Sequence, residues 1–90
     1  MTVTIDRDTQ EIRTETETVW PTGTEWAILV ALLDAYPGWT SESKLTDVAE
    51  TSRPRWHLTQ MRRKLPGFQT VVRLGFGWRL SAQFMASIKQ

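Results

Sequence analysis

The segment with the densest candidate chemistry comprises residues 52–65 and reads SRPRWHLTQMRRKL. It holds five Arg or Lys residues together with one tryptophan, one histidine and one glutamine. Guanidinium and ammonium groups bind phosphate oxygens, and glutamine or histidine side chains can hydrogen-bond to the edges of bases. These residue types in one short segment indicate a surface that contacts a polyanion.

The distribution of charge along the chain supports this interpretation. The 90 residues carry eleven Lys or Arg and ten Asp or Glu, for a net charge of +1. All ten acids lie in residues 1–50 beside three basic residues, so that part of the chain carries −7. Residues 51–90 hold eight basic residues and no acid, and therefore carry +8. Such a division favours one face made for a polyanion, and the alternative is an ordinary solvated surface.

Length and composition exclude several other classes of protein. Ninety residues make one domain with a single core, and 40% hydrophobic residues with five Trp and three Phe are typical of a globular chain. The absence of cysteine excludes disulfides and thiolate metal sites, and it fits a reducing compartment. No apolar run is long enough to cross a bilayer, and the N-terminus lacks a signal-peptide pattern. We therefore expect a soluble, cytoplasmic protein with no membrane partner.

The sequence offers few groups for enzymatic chemistry. His57 is the only histidine, no carboxylate follows Glu50, and no metal-ligand spacing occurs. Gly75 and Gly77 are best explained by hairpin geometry, because no predicted helix follows them to complete a phosphate-binding loop. We therefore expect no enzyme, no catalytic residue, no metal, no cofactor and no small-molecule substrate.

A small sheet and two helices are predicted to precede the basic segment. Residues 1–20 alternate β-branched and charged residues with period two, which predicts a small antiparallel sheet. Helix-start signals at residues 21–25 predict a helix from about residue 23, and Pro37 and Gly38 end its apolar period. A second, short helix is expected over residues 44–50. Its predicted buried side consists of Leu45, Val48 and Ala49.

The basic segment itself is predicted to form the third helix. Ser52 suits its N-cap, Pro54 suits its first turn, and residues 66–67 end it. The stripe expected to face the core consists of Pro54, Leu58, Met61 and Leu65. The opposite stripe consists of Arg53, Trp56, His57, Gln60 and Arg63 or Lys64. An apolar stripe would thus attach the helix to the body, and a polar stripe would face outward.

The remaining residues complete the predicted domain. Residues 68–80 read as a β-hairpin, or wing, around the glycine-bearing turn at 74–77. Residues 1–83 are expected to form a single domain, with 23–65 as a three-helix core, and residues 84–90 to form a polar tail. Two helices at a tight turn, followed by a hairpin, are typical of a winged helix-turn-helix. The expected fold class is α+β.

Five segments resemble, in order, the winged-helix effector domain of OmpR/PhoB-type response regulators. Residues 5–13 resemble the family's strand-turn-strand opening, and VWPTGTEWAIL at 19–29 resembles its helix entry, V-x-L-T-P-T-E-F-x-L-L. PGWTS at 37–41 resembles its Pro-Gly turn. Residues 52–65 resemble its recognition helix, R-x-V-D-V-H-I-x-x-L-R-x-x-L, and GFGWRL at 75–80 resembles its wing, G-x-G-Y-R-L. The resemblance covers nearly the whole chain.

This resemblance implies sequence-specific binding of double-stranded DNA, with residues 53–64 as a recognition helix in the major groove. The base-facing residues would be Trp56, His57 and Gln60. The phosphate-facing residues would be Ser52, Arg53, Arg55, Arg62, Arg63 and Lys64. The wing residues would be Arg73, Gly75 and Phe76. The family commonly has a basic residue where Gln60 stands, so its sequence preference does not carry over.

The resemblance is to the effector domain alone, so we expect a free-standing effector domain without a receiver domain. It implies a small bacterial or phage transcription regulator that binds DNA, and its further partners would be a second copy on repeated half-sites or a host protein. The connection between the second and third helices, about residues 50–52, is shorter than in the family. Two alternatives remain: a protein-interaction module that engages a host protein through Trp56, and a recombination directionality factor that bends DNA.

Overall fold

The computed structural model describes residues 1–89 and has the predicted α+β architecture. Three strands open the chain, β1 (Val3–Asp6), β2 (Glu11–Arg13) and β3 (Thr18–Val19). Three helices follow, α1 (Gly23–Ala35), α2 (Glu42–Ala49) and α3 (Pro54–Lys64). The chain continues with β4 (Thr70–Arg73), β5 (Gly77–Leu80), α4 (Ala82–Ser87) and β6 (Ile88–Lys89). No helix among the described residues is both long enough and apolar enough to cross a membrane.

The N-terminal strands belong to a mixed sheet, where a purely antiparallel one was predicted. β2 pairs antiparallel with both β1 and β3, and Ile12 lies opposite Ile5 and Val19 in the two registers. β6 pairs parallel with β1, with Val3 opposite Ile88, so the strand order is β3-β2-β1-β6. The C-terminal strand thus covers the edge of β1.

The prediction of a polar tail over residues 84–90 is wrong for residues 84–89, and Gln90 lies outside the described residues. Ser81 caps α4 by accepting a hydrogen bond on Oγ from the Phe84 N–H at 3.0 Å. Phe84 is only 2% exposed, and its ring meets Phe68 edge-on at a centroid distance of 5.6 Å. One aromatic residue in a six-residue helix has no hydrophobic period to reveal it, so its burial depends on tertiary contact.

α1 lies at the centre of the core. It begins at Gly23, as predicted, behind a reciprocal capping box in which Thr22 Oγ1 accepts from the Glu25 N–H and Glu25 Oε1 accepts from the Thr22 N–H. Its buried apolar side chains are Trp26, Ile28, Leu29 and Leu32. α2, α3 and β5 pack against α1, so the position at which α1 begins affects all three.

α2 begins at Glu42, two residues earlier than predicted. Ser41 caps it, because its Oγ accepts a hydrogen bond from the Lys44 N–H at 3.1 Å. Leu45 and Ala49 are buried, whereas Val48 is 38% exposed, so the predicted burial of Val48 is wrong. Val48 lies on the side of α2 that borders a surface groove along α1, away from the core.

α3 is attached to the body by the predicted apolar stripe. Leu58, Met61 and Leu65 are each at most 3% exposed, and Pro54 is also buried. The predicted N-cap is wrong: Arg53 occupies that position and makes no capping hydrogen bond through its side chain. The Thr51 hydroxyl instead accepts a hydrogen bond from the Arg53 N–H at 3.1 Å, which shapes the turn before the helix.

The wing is held against the turn between α1 and α2. Thr40 and Trp78 exchange two backbone hydrogen bonds of 2.7 and 2.9 Å, which connect β5 to that turn. Gly77 has φ +108°, and a Cβ atom there would collide with the Thr40 carbonyl oxygen. This close backbone approach explains why a glycine occupies this position.

We predict that Phe84→Ala lowers the free energy of unfolding by about 3–5 kcal/mol, because it leaves a cavity beside Phe68. Phe84→Leu, which retains most of the volume, should cost less than about 1.5 kcal/mol. Urea unfolding followed by circular dichroism measures both values. Gln83→Ala, at an exposed position of the same helix, is the matched control. A small loss for Phe84→Ala would show that this segment is dispensable.

Candidate nucleic-acid interface

The surface of α3 opposite its buried stripe forms an exposed, acid-free face. We call this surface the outer face of α3; it consists of Arg53, Trp56, Thr59, Gln60 and Arg63. Successive helical residues are rotated by about 100°, so positions 56, 59 and 63 lie nearly opposite Leu58 and Leu65. Trp56 is 46% exposed, and Thr59 and Arg63 are also exposed.

Thr59 was absent from the predicted site, although it lies in the middle of the outer face. Its Oγ1 donates a hydrogen bond to the Arg55 carbonyl oxygen at 3.1 Å, which leaves its methyl group available to solvent. The signal was present in the sequence, because residue 59 is three positions after Trp56 and four before Arg63. Those spacings place the three residues on one helical face.

The predicted base-facing residues lie together. Trp56, His57 and Gln60 line one shallow groove with Arg63. The Arg53 guanidinium lies 4.9 Å from the centroid of the Trp56 indole, and the His57 ring meets that indole edge-on at 5.0 Å. These contacts restrict the indole while leaving almost half of its surface exposed.

The predicted phosphate-facing cations fall into two sets. Arg53, Arg62 and Arg63 are exposed and form no ion pair with any residue among 1–89. Arg55 and Lys64, in contrast, pair with acids from the other half of the sequence. Ser52 is exposed in the turn that leads into α3. Of this unpaired set, Arg53 and Arg63 supply positive charge to the outer face of α3, whereas Arg62 lies beside that face on the helix.

The wing cations stack on aromatic rings. The Arg73 guanidinium lies 3.9 Å from the centroid of Phe76 and 5.9 Å from that of Trp39. Arg79 lies 4.4 Å from the Trp39 centroid, and its Nη1 donates to the Pro37 carbonyl oxygen at 3.3 Å. Gly75, with φ +83°, forms the turn next to this stack. The predicted wing residues Arg73, Gly75 and Phe76 are thus adjacent.

Two solved structures share this architecture. The DNA-binding domain of Bacillus subtilis CssR superposes with a TM-score of 0.74, at 18% identity, over 89% of this chain and 100% of its own. The DNA-binding domain of the response regulator AdeR, in complex with an intercistronic region, superposes with a TM-score of 0.73, at 22% identity, over 90% and 95%. The chain therefore has the winged-helix fold of these two domains. No protein-family model matches the sequence, and no curated protein matches it.

Within this winged helix, α3 precedes the wing, and its two paired cations connect it to α1 and α2. Lys64 Nζ lies 2.9 Å from Glu25 Oε1 on α1. Arg55 forms a salt bridge with Glu42 on α2, and its guanidinium lies 5.5 Å from the centroid of Trp78 in the wing. These contacts restrain α3 at both ends, one toward α1 and the other toward α2 and the wing.

Glu25 links the start of α1 to the end of α3. Its burial favours the neutral acid and thereby raises the pKa, but hydrogen bonds from the Thr22 N–H and the Lys64 ammonium outweigh this effect. The pKa of Glu25 therefore lies below its ordinary value of 4.5. The carboxylate stabilises the fold above that ordinary value, and the contribution is lost as the pH falls through the lowered pKa.

Metal binding has no support in the described part of the chain. No cluster of three or more His, Cys, Asp or Glu residues that could hold a metal ion occurs among residues 1–89. The groove beside Trp56 contains Glu25 and His57 as its only such groups.

We predict that Glu25→Gln lowers the free energy of unfolding by about 1 kcal/mol at neutral pH, because the amide keeps the capping geometry but loses the charged partner of Lys64. The difference from the wild type should narrow as the pH falls below about 4.5, where the wild-type carboxylate becomes protonated. Urea unfolding across that pH range measures it. The control is Glu17→Gln, which changes an exposed acid. A difference that stays constant with pH would contradict the role of the ionised group.

Proposed function

We propose that this protein binds double-stranded DNA in a sequence-dependent manner and regulates transcription by occupying its site. One observation carries the proposal: α3 is buried on one side and presents Trp56, Gln60 and unpaired arginines on the other. The major groove of B-DNA, about 12 Å wide, admits an α-helix. The structurally similar AdeR domain, which is in complex with an intercistronic region, gives independent support for this use of the fold.

Base recognition falls to the groove-lining side chains of α3. The Gln60 amide can pair with N6 and N7 of adenine, and the Trp56 indole or the Thr59 methyl group can contact a thymine methyl group. His57 lies beside Trp56 and can accept from or donate to a base edge. Each well-formed contact of this kind contributes about 1–3 kcal/mol of discrimination between bases.

Phosphate contacts position the helix without reading sequence. Arg53, Arg62 and Arg63 are the cations best placed for this role, and the exposed Ser52 hydroxyl lies beside the first of them. Arg55 and Lys64, predicted to face phosphates, act instead as positioning residues through Glu42 and Glu25. The wing, with Arg73, Gly75 and Phe76, contacts the flanking DNA. These assignments revise the site that the resemblance implied.

A second candidate function rests on the exposure of Trp56. An indole that is 46% exposed is also a suitable anchor for a protein partner, such as a host protein engaged by a phage regulator. Salt dependence distinguishes the two candidates. Binding to duplex DNA must weaken steeply with salt, because phosphate contacts release counterions. A protein contact centred on an indole lacks that dependence.

Phosphate binding is tested on duplexes selected from a random pool, by fluorescence anisotropy over a series of salt concentrations. The wild-type chain should lose affinity with a log–log slope of about −0.9 per neutralised phosphate. Arg63→Ala should weaken every duplex to a similar extent and reduce the magnitude of that slope by about 1. The matched control is Arg7→Ala. Arg7 lies in the first turn of the chain and is paired with Asp34, so this variant removes one positive charge away from α3. Equal losses for both variants would show that only net charge matters.

Base reading is tested by repeating the selection with Gln60→Ala. We expect the preference for one base to be relaxed at a single position, by about 1–3 kcal/mol. The affinity for duplexes that already carry another base at that position should change little. Thr59→Ala, one residue away on the same face, should relax a different position. A uniform loss of affinity across all selected duplexes would assign Gln60 to the phosphate backbone and contradict its role as a base contact.

A further inference from the structure

The tip of the wing exposes an apolar side chain that the fold does not use. Leu74 is 98% exposed, whereas the other large apolar residues that the structure shows as exposed range from 38% to 68%. Val72, two positions earlier on β4, is 65% exposed. Exposed apolar side chains that project together commonly mark a contact surface. Leu74 therefore requires an account that core packing does not supply.

The backbone that carries Leu74 is held in a defined position. β4 and β5 pair from Thr70↔Leu80 to Arg73↔Gly77, and Thr40 joins the far strand through its two hydrogen bonds to Trp78. The Phe76 N–H donates to the Arg73 carbonyl oxygen at 2.9 Å, which closes the turn around Leu74. The side chain is thus presented on a short, braced hairpin.

The aromatic side chains near Leu74 contact arginines of the wing, whereas Leu74 itself is exposed to solvent. Phe76 stacks under the Arg73 guanidinium, and Trp39 stacks beside both Arg73 and Arg79. These aromatic rings therefore have partners within the chain. Leu74, which lies between Arg73 and Phe76 in the chain, is almost fully accessible to solvent.

The charge around the tip favours a nucleic acid over a protein as the partner. Arg73 directly precedes the tip, Arg79 lies opposite Val71 farther along the hairpin, and no acid occurs in residues 51–90. The wing is also continuous with α3, because Arg55 lines the same small cleft as Val72 and Leu74. The one acid in that cleft, Glu42, is neutralised by Arg55. An apolar tip beside a cation, on a hairpin without acids, matches the side chains that enter the minor groove and wedge between base steps.

We propose that Leu74 inserts between adjacent base pairs from the minor groove beside the site occupied by α3, and that it kinks the duplex. This inference rests on the proposed function and adds DNA bending to it. Arg73 would lie along the groove wall, where negative potential is concentrated, while Leu74 unstacks one base step. Flexible pyrimidine–purine steps are the preferred positions, because they unstack at the lowest cost.

The inference is tested by ligase-catalysed ring closure of random-sequence duplexes of roughly 100 bp, shorter than the DNA persistence length of about 150 bp. These duplexes close slowly unless a bound protein bends them. The wild-type chain should accelerate closure on the order of tenfold or more, and Leu74→Ser should abolish the acceleration while still binding duplex in a gel shift. Because Leu74 is exposed, this variant should melt at the wild-type temperature.

Matched variants separate the wedge from the rest of the interface. Leu74→Met keeps an apolar wedge and should retain ring closure. Val48→Ala changes an exposed apolar residue on α2 and should leave ring closure unchanged. Arg63→Ala should lower binding and closure together, so that closure per bound molecule stays at the wild-type level.

The outcomes distinguish failure of the inference from failure of the proposed function. A wild-type chain that binds duplex without accelerating closure, or a Leu74→Ser variant that accelerates it normally, overturns the wedge alone. A wild-type chain that binds no duplex at low salt overturns the proposed function and the wedge with it. A wild-type dimer in solution that Leu74→Ser converts to a monomer assigns the wing tip to a second copy of the chain and also overturns the wedge.

Discussion

The attachment of α3 to the body through Leu58, Met61 and Leu65 determines which side chains the protein can present. Each of these three is nearly completely buried, and the intervening positions must therefore point away from the core. A rotation of α3 by one residue would bury Trp56 or Arg63 and expose a leucine. Packing of the apolar stripe against α1 thus sets both the orientation of the helix and the composition of its outer face.

Opposite charges from the two halves of the sequence pair with each other in the fold. Glu25 and Glu42, from the acidic half, pair with Lys64 and Arg55 from the basic half. Each pair joins α3 to a different helix, and neither paired cation lies on the outer face of α3. Arg53 and Arg63, which lie on that face, form no ion pair with any residue among 1–89, so the fold leaves positive charge where a polyanion can approach.

The wing is attached to the same body by backbone hydrogen bonds and by contacts between arginines and aromatic rings. Its strand β5 bonds to the turn between α1 and α2 through Thr40, and Arg73 and Arg79 stack on aromatic side chains. Backbone hydrogen bonds place the hairpin, and cation–π contacts order its surface. α3 and the wing are therefore held by the same body, α3 through its apolar stripe and the wing through the backbone hydrogen bonds of Thr40.

Local patterns in the sequence were sufficient for the winged-helix architecture, the boundaries of α1 and the buried stripe of α3, because helical period, capping residues and Pro-Gly stops act over a few neighbouring residues. They failed for α4 and β6, since the burial of Phe84 against Phe68 and the pairing of β6 with β1 join segments far apart in the chain. The site divides in the same way. The sequence predicted the basic helix and placed Trp56, His57 and Gln60 on one of its faces, and in the structure these three side chains line one groove; their contact with bases stays a prediction. The pairing of Arg55 and Lys64 with acids on other helices required the three-dimensional arrangement, because an ion pair depends on distance through space.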